Sequence, residues 1–199
     1  MTPIKFYRNF TSSALILAAA SVLLVGCTAT KPMGLSNSLS SETQLQLDAV
    51  EEESVNFQFS PNANGERVEI SNGAVSKVYS VNSTLEGRIQ QLLRAKFQSV
   101  SESSDNTVSI SIESVNASND LATLGNTGTH SVEVEMLAEI TKGGETATRS
   151  IKRDATLNFE QVGEGFEASL EIDERKLEEF MSQFVVGVNS FVDANFDVD

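Results

Sequence analysis

Cysteine, histidine and basic residues are scarce in this sequence of 199 residues. Cys27 is the one cysteine, so no internal disulfide contributes to stability. His130 is the one histidine, which excludes every metal site that needs a pair of histidines. The chain has 14 basic and 28 acidic residues, and its formal charge of −14 argues against nucleic acid and against broad contact with anionic lipid as partners.

Catalytic and metal-binding motifs are also lacking. The sequence has no G-x-S-x-G, no phosphate-binding glycine loop and no C-x-x-C. His130 lacks a neighbouring motif that would supply a nucleophile and an orienting carboxylate, and we expect it to begin a strand. The acidic clusters at residues 51–53 and 193–199 are predicted to be solvated, because neither has the ligand pattern of a metal site. The sequence therefore predicts no catalytic residue, no metal and no cofactor.

The N-terminus has the three parts of a secretory signal. Lys5 and Arg8 form a positive start, and residues 14–25 are apolar except for Ser21. Twelve residues are too few to cross a hydrocarbon core of about 30 Å, which needs about 20. Residues 1–26 are therefore predicted to be a signal peptide rather than a transmembrane helix.

The signal ends in Leu24-Val25-Gly26-Cys27, which resembles the lipobox of bacterial lipoproteins. The resemblance implies cleavage between Gly26 and Cys27 and acylation of Cys27, which becomes the first mature residue. Thr28 stands where an aspartate would favour retention at the inner membrane, so the resemblance implies the periplasmic face of the outer membrane. The alternative is an ordinary signal peptide that is cut elsewhere.

Residues 27–53 are predicted to be the lipidated cysteine and a flexible polar tether. The segment from Thr28 is rich in Ser, Thr, Asn and Gln, and as a flexible chain it would span about 25–30 Å. Leu45 and Leu47 alternate with polar neighbours, so an edge strand within it is an open alternative. Residues 54–199 are predicted to form a single periplasmic domain.

Two helices are predicted in that domain. Ser83 and Glu86 have the spacing of a capping box, and an apolar stripe follows to about Gln98. Asp173 is placed as the N-cap of a closing helix whose apolar residues keep helical spacing for four turns. An apolar stripe of this kind is typical of a helix that packs on a sheet.

The remaining apolar residues mostly alternate with polar ones, which indicates strands with one covered face. The strongest of these segments are residues 55–59, 108–112, 132–140 and 147–159, and weaker segments lie at 67–71, 76–81 and 166–172. Clean alternation is typical of antiparallel sheets. We therefore predict an α+β fold, an antiparallel β-sheet of three to five strands with two helices packed on one face, in the order β-α-β-β-β-α.

A loop of fourteen residues, from Asn116 to Thr129, is predicted between two of these strands. Loops this long are usually functional or disordered. Leu121 and Leu124 lie inside it, and they are the predicted partner-contact residues.

The order of these elements resembles that of the small envelope lipoproteins of the YajG type, over Cys27 to about Asn195. The resulting hypothesis is a membrane-anchored periplasmic lipoprotein that serves as a non-enzymatic accessory or scaffold subunit of a cell-envelope complex, because an exposed polar sheet face, a long loop and a tether suit contact with a protein. An envelope protein is then its expected partner. The alternative is a periplasmic carrier of a small apolar ligand or lipid, with a cavity lined by Phe97, Phe180 and Phe184. A hydrolase acting on the cell wall is a third hypothesis, for which no carboxylate pair stands out.

Overall fold

A computed structural model describes residues 29–39, 53–122, 126–164 and 167–196, and the fold there is α+β. These ranges contain nine strands, two α-helices and one 3-10 turn at Ala63–Gly65. Neither helix is long and apolar enough to cross a membrane. The predicted signal peptide, Gly26 and Cys27, the pair Leu45 and Leu47, and Leu124 all lie outside the described residues.

Six strands form the larger sheet. In sequence they are β2 (Ser54–Ser60), β5 (Ser99–Val100), β6 (Thr107–Leu121), β7 (Thr127–Lys142), β8 (Glu145–Val162) and β9 (Ser169–Ile172). Their order across the sheet is β5-β2-β6-β7-β8-β9. Strands β6, β7 and β8 are the long ones, and they pair in antiparallel register along almost their whole length.

The prediction of a purely antiparallel sheet is wrong. Strand β2 pairs in parallel with β5 and with β6, with Phe57 opposite Val108. Parallel neighbours need a long crossover connection, and the chain between β2 and β6 supplies one that contains three short strands and a helix. The predicted element order β-α-β-β-β-α is also incomplete, because the structure has additional short strands whose sequences show little apolar alternation.

Three short strands, at residues 29–32, 68–71 and 75–79, form a second sheet that is also mixed. Strand β1 (Ala29–Pro32) runs parallel to β4 (Val75–Tyr79), and β3 (Val68–Ser71) runs antiparallel to β4. The strands predicted near residues 67–71 and 76–81 are therefore present. Strand β1 lies inside the segment predicted as a flexible tether, and Met33 and Leu39 beyond it are buried. For residues 29–39 the tether prediction is wrong.

The two helices are α1 (Val81–Lys96) and α2 (Glu174–Asn195). Helix α2 begins as predicted, with the Asp173 side chain accepting from the backbone N–H of Lys176. Helix α1 begins one turn earlier than predicted, because Ser80 rather than Ser83 is the N-cap and accepts from the N–H of Ser83. The earlier start buries Val81 completely in the core.

One face of the larger sheet, called the inner face here, carries the core. On β7 the even-numbered residues from His130 to Ile140 are all buried. Helix α2 lies against this face, where a Cβ atom on Gly187 would come within 3.0 Å of Ile151 on β8. The smaller sheet covers the same face nearer the start of β7, since Tyr79 of β4 hydrogen-bonds to His130. The opposite, outer face of β6, β7 and β8 is polar and open to solvent.

Candidate functional site

The predicted loop at residues 116–129 is mostly strand. Strands β6 and β7 stay in register from Asn116 opposite Glu133 to Leu121 opposite Gly128, so only residues 122–126 connect them. Apolar alternation ends at Val115, whereas backbone pairing continues for six more residues. The prediction of a long loop is wrong because a strand between paired neighbours does not need apolar side chains.

Leu121 lies at the tip of this hairpin, called the β6–β7 tip here, and is 49% exposed. Among the described residues it is one of two large apolar side chains with that degree of exposure, the other being Val186 on α2. The structure is thus consistent with an accessible Leu121. Leu124, the second predicted contact residue, lies outside the described residues.

An open groove of about 770 Å³ adjoins the β6–β7 tip, between the ends of β6, β7, β8 and β9. Its lining combines the apolar side chains of Leu121, Phe159 and Ile172 with four carboxylates, Asp120, Glu160, Glu171 and Asp173. Glu160 and Glu171 are directly opposite each other on β8 and β9, a repulsive arrangement. Within the described ranges no group of three His, Cys, Asp or Glu residues is placed to hold a metal ion.

His130 is buried and lies in a series of hydrogen bonds that joins the two sheets. Its Nε2 is 3.0 Å from the Tyr79 hydroxyl, and its Nδ1 is 2.8 Å from Oδ1 of Asn119. The Asn119 amide nitrogen donates to the Glu69 carbonyl of β3, which fixes the amide oxygen toward the histidine. Nδ1 must therefore carry the hydrogen, and Nε2 accepts from Tyr79.

Burial favours the neutral forms of both rings. It lowers the pKa of His130 to about 4 and raises the pKa of Tyr79 above its ordinary range. A neutral histidine with both nitrogens occupied and no exposed surface is suited to joining two sheets. The expectation that His130 begins a strand is close to the structure, where it is the fourth residue of β7. The sequence does not predict the hydrogen bonds of His130 with Tyr79 and Asn119, because these residues are far apart in sequence.

A second polar cluster, centred on the buried Arg88, joins the two helices to the segment after β1. Arg88 of α1 forms an ion pair with Glu178 of α2, and its Nε donates to the Ser36 carbonyl at 2.8 Å. The backbone N–H of Ser36 donates to the same carboxylate, and that of Leu39 donates to Gln91 of α1. This cluster holds residues 33–39 across the helices.

The three phenylalanines proposed to line a carrier cavity are packed against other rings. Phe180 and Phe184 meet edge to face at 5.4 Å between ring centres, and Phe97 meets Phe196 at 4.8 Å. All four rings are buried. Among the described residues, none of these four rings lines a surface groove.

Comparisons with known proteins give no functional identification. No protein-family model matches the sequence, and no curated protein matches it. A crystal structure titled only as that of an uncharacterized protein is similar over 84% of this chain and 97% of its own, with 10% identity and a TM-score of 0.35.

Proposed function

We propose that this protein is a lipoprotein of the YajG type, anchored by acyl chains on Cys27 to the periplasmic face of the outer membrane. In this proposal it acts as a non-enzymatic accessory subunit of an envelope complex. The observation that carries the proposal is the lipobox-like Leu24–Cys27 segment, which directly precedes the folded domain. Two or more acyl chains are needed for stable attachment, and a diacylglyceryl cysteine provides them.

Packing supports an accessory role over a carrier role. A carrier needs a cavity that can take its ligand, whereas Phe97, Phe180 and Phe184 are in edge-to-face contact with neighbouring rings. Opening a cavity there would separate those ring pairs and expose buried apolar surface. The carrier remains the second candidate, and co-purification of lipid at a fixed ratio would favour it.

The outer face of β6, β7 and β8 is the surface we propose for the protein partner. Leu137 of β7 is half-buried there and lies between Ser111 of β6 and Ser150 of β8 in the strand register. Protein interfaces commonly have an apolar centre within a polar rim, and Leu137 with its polar neighbours offers that arrangement on a small scale. Lys152 and Glu133 form an ion pair on the same face at 2.9 Å.

Anchoring is tested by metabolic labelling with radioactive palmitate and by membrane fractionation. The expected result is label and membrane association in the natural protein and loss of both in Cys27→Ala. Thr28→Asp is the matched control: it should keep the label but move the protein to inner-membrane fractions. A Cys27→Ala protein that still carries palmitate and still fractionates with membranes would overturn the proposal.

The accessory role is tested by a photoreactive amino acid placed at Ser150 on the outer face. The control position is Glu179, an exposed residue of helix α2, which packs on the inner face of the sheet. We expect one reproducible envelope protein to be crosslinked in cells from position 150 and not from position 179. Equal capture from both positions, or none from position 150, would contradict the proposed contact surface.

A further inference from the structure

The folded domain begins almost at the proposed acylation site. Ala29 is already paired with Val75 of β4, and one residue separates it from Cys27 in the chain. Two steps along the chain reach at most about 7 Å between Cα atoms. The chain between them is far too short to act as a tether of 25–30 Å.

Four features meet at the end of the domain where β1 starts. Ala29 lies beside the turn at residues 72–74, because β1 runs parallel to β4. The Asn72 side chain donates to Gln161 near the end of β8 at 2.6 Å, and the Gln161 N–H donates to the Asn126 carbonyl beside the β6–β7 tip. Lys31 of β1 donates to the Ala168 carbonyl just before β9. The start of β1, the 72–74 turn, Asn126 beside the β6–β7 tip and Ala168 before β9 therefore form one surface, called the β1 end.

We infer that the β1 end lies directly against the lipid surface, so that the long strands β6, β7 and β8 stand away from the membrane. This inference rests on the proposed acylation of Cys27. Leu121, the exposed apolar side chain of the β6–β7 tip, then faces the headgroup region. The β7–β8 turn at Gly143 and Gly144 is at the far end of a strand of 16 residues, which is about 50 Å long.

The charges of the β1 end restrict the kind of lipid surface that it fits. Asp120, Glu160 and Glu171 line the groove beside the tip together with Leu121, and they outnumber the ammonium group of Lys31 at this end. Carboxylates near a membrane are repelled by anionic lipids, and this repulsion extends over about a Debye length of 8 Å at physiological salt. The β1 end therefore fits zwitterionic headgroups and is held there by the acyl chains rather than by electrostatic attraction.

Two single-cysteine additions test this orientation in the full lipidated protein. Ala122→Cys places a thiol at the β6–β7 tip, and Glu145→Cys places one at the opposite turn; both positions are exposed. A fluorophore is attached to each thiol, and the proteins are reconstituted in phosphatidylcholine vesicles that contain a lipid with a nitroxide headgroup. We expect strong quenching of the label at position 122 and essentially none at position 145.

The labelling reaction itself separates the two hypotheses. An acylated Cys27 has a thioether that cannot react, so each variant should take up one fluorophore as measured by mass spectrometry. Two fluorophores per chain would mean that Cys27 is free, and the proposed anchoring would fail. One fluorophore per chain with equal quenching at both positions, or stronger quenching at position 145, would overturn the orientation while leaving the anchoring intact.

A length control tests the role of the short connection. A flexible insertion of about 20 Gly and Ser residues between Thr28 and Ala29 spans about 25 Å. It should leave acylation and vesicle binding unchanged while quenching at position 122 falls to the level at position 145. Unchanged quenching at position 122 in the lengthened protein would show that the short connection does not set the orientation, and would overturn this part of the inference.

Discussion

Protonation of His130 is expected to destabilise the fold as the pH falls. The ring is fully buried, Nδ1–H is bonded to Asn119, and Nε2 accepts from Tyr79. A proton on Nε2 would face a hydroxyl that is already donating, in surroundings that disfavour a charge. These contacts agree with a histidine pKa lowered to about 4 by burial.

The size and sign of the effect follow from the difference between the folded and unfolded states. In the unfolded chain the imidazole takes up its proton near pH 6.5, whereas in the folded protein it does so only near pH 4. Between these values the unfolded state binds more protons, so the free energy of unfolding falls as the pH is lowered. The difference of about 2.5 pH units corresponds to about 3 kcal/mol at 1.36 kcal/mol per unit, all of it present above pH 6.5.

Because His130 is the single histidine, two direct measurements are available. In protein without a histidine tag, one imidazole signal in a proton–carbon NMR spectrum should stay at its neutral position down to about pH 5. The free energy of unfolding in urea should fall more steeply from pH 6.5 to 4 in the natural protein than in His130→Gln. Subtracting one curve from the other removes the titration of the carboxylates, which the two proteins share. Titration of the folded imidazole near pH 6.5, or parallel stability curves for the two proteins, would refute the reasoning.

Two further predictions concern close packing and buried charge. In urea unfolding, Gly128→Ala should lower the free energy of unfolding by about 1–3 kcal/mol, because its Cβ would come within 2.5 Å of the Phe159 ring. The control is Gly34→Ala, whose Cβ would meet nothing within 4 Å and which should change that free energy by less than about 0.5 kcal/mol. Arg88→Ala should cost about 2–3 kcal/mol, because it removes a buried guanidinium from a partly exposed carboxylate of α2. Arg175→Ala, in an exposed pair at 3.6 Å, should cost less than about 0.5 kcal/mol, and equal losses in the two arginine variants would contradict this account.

Amphipathic periodicity is sufficient to find the two helices and the apolar parts of the three long strands. The closing helix shows this best, since Asp173 caps it and Leu177, Phe180 and Met181 are buried. Alternation gives the covered face of a strand but not the direction of its neighbour, so the parallel pairing of β2 with β6 could not be read from it.

The tether and the loop were mispredicted for a related reason. Residues 29–32 and 116–121 have few large apolar side chains and no clear apolar alternation, yet they are strands because their backbone groups pair with β4 and β7. The Tyr79–His130–Asn119 chain depends on that same pairing, which puts Asn119 opposite His130. A polar segment that gains its order from neighbours distant in sequence has no local signal for it.

The direction of β1 determines how the domain would carry a mechanical load. If Cys27 is acylated as proposed and the domain is pulled away from the membrane, the force enters at Ala29 and acts along β1, parallel to β4. All four paired residues of β1 are then loaded together in shear rather than opened one after another. Behind them, the contacts of Ser36 with Arg88 and Glu178 join the same line of force to both helices. A partner that pulls on the domain would thus strain the whole fold, and resistance would depend on the rate of unfolding rather than on the equilibrium stability.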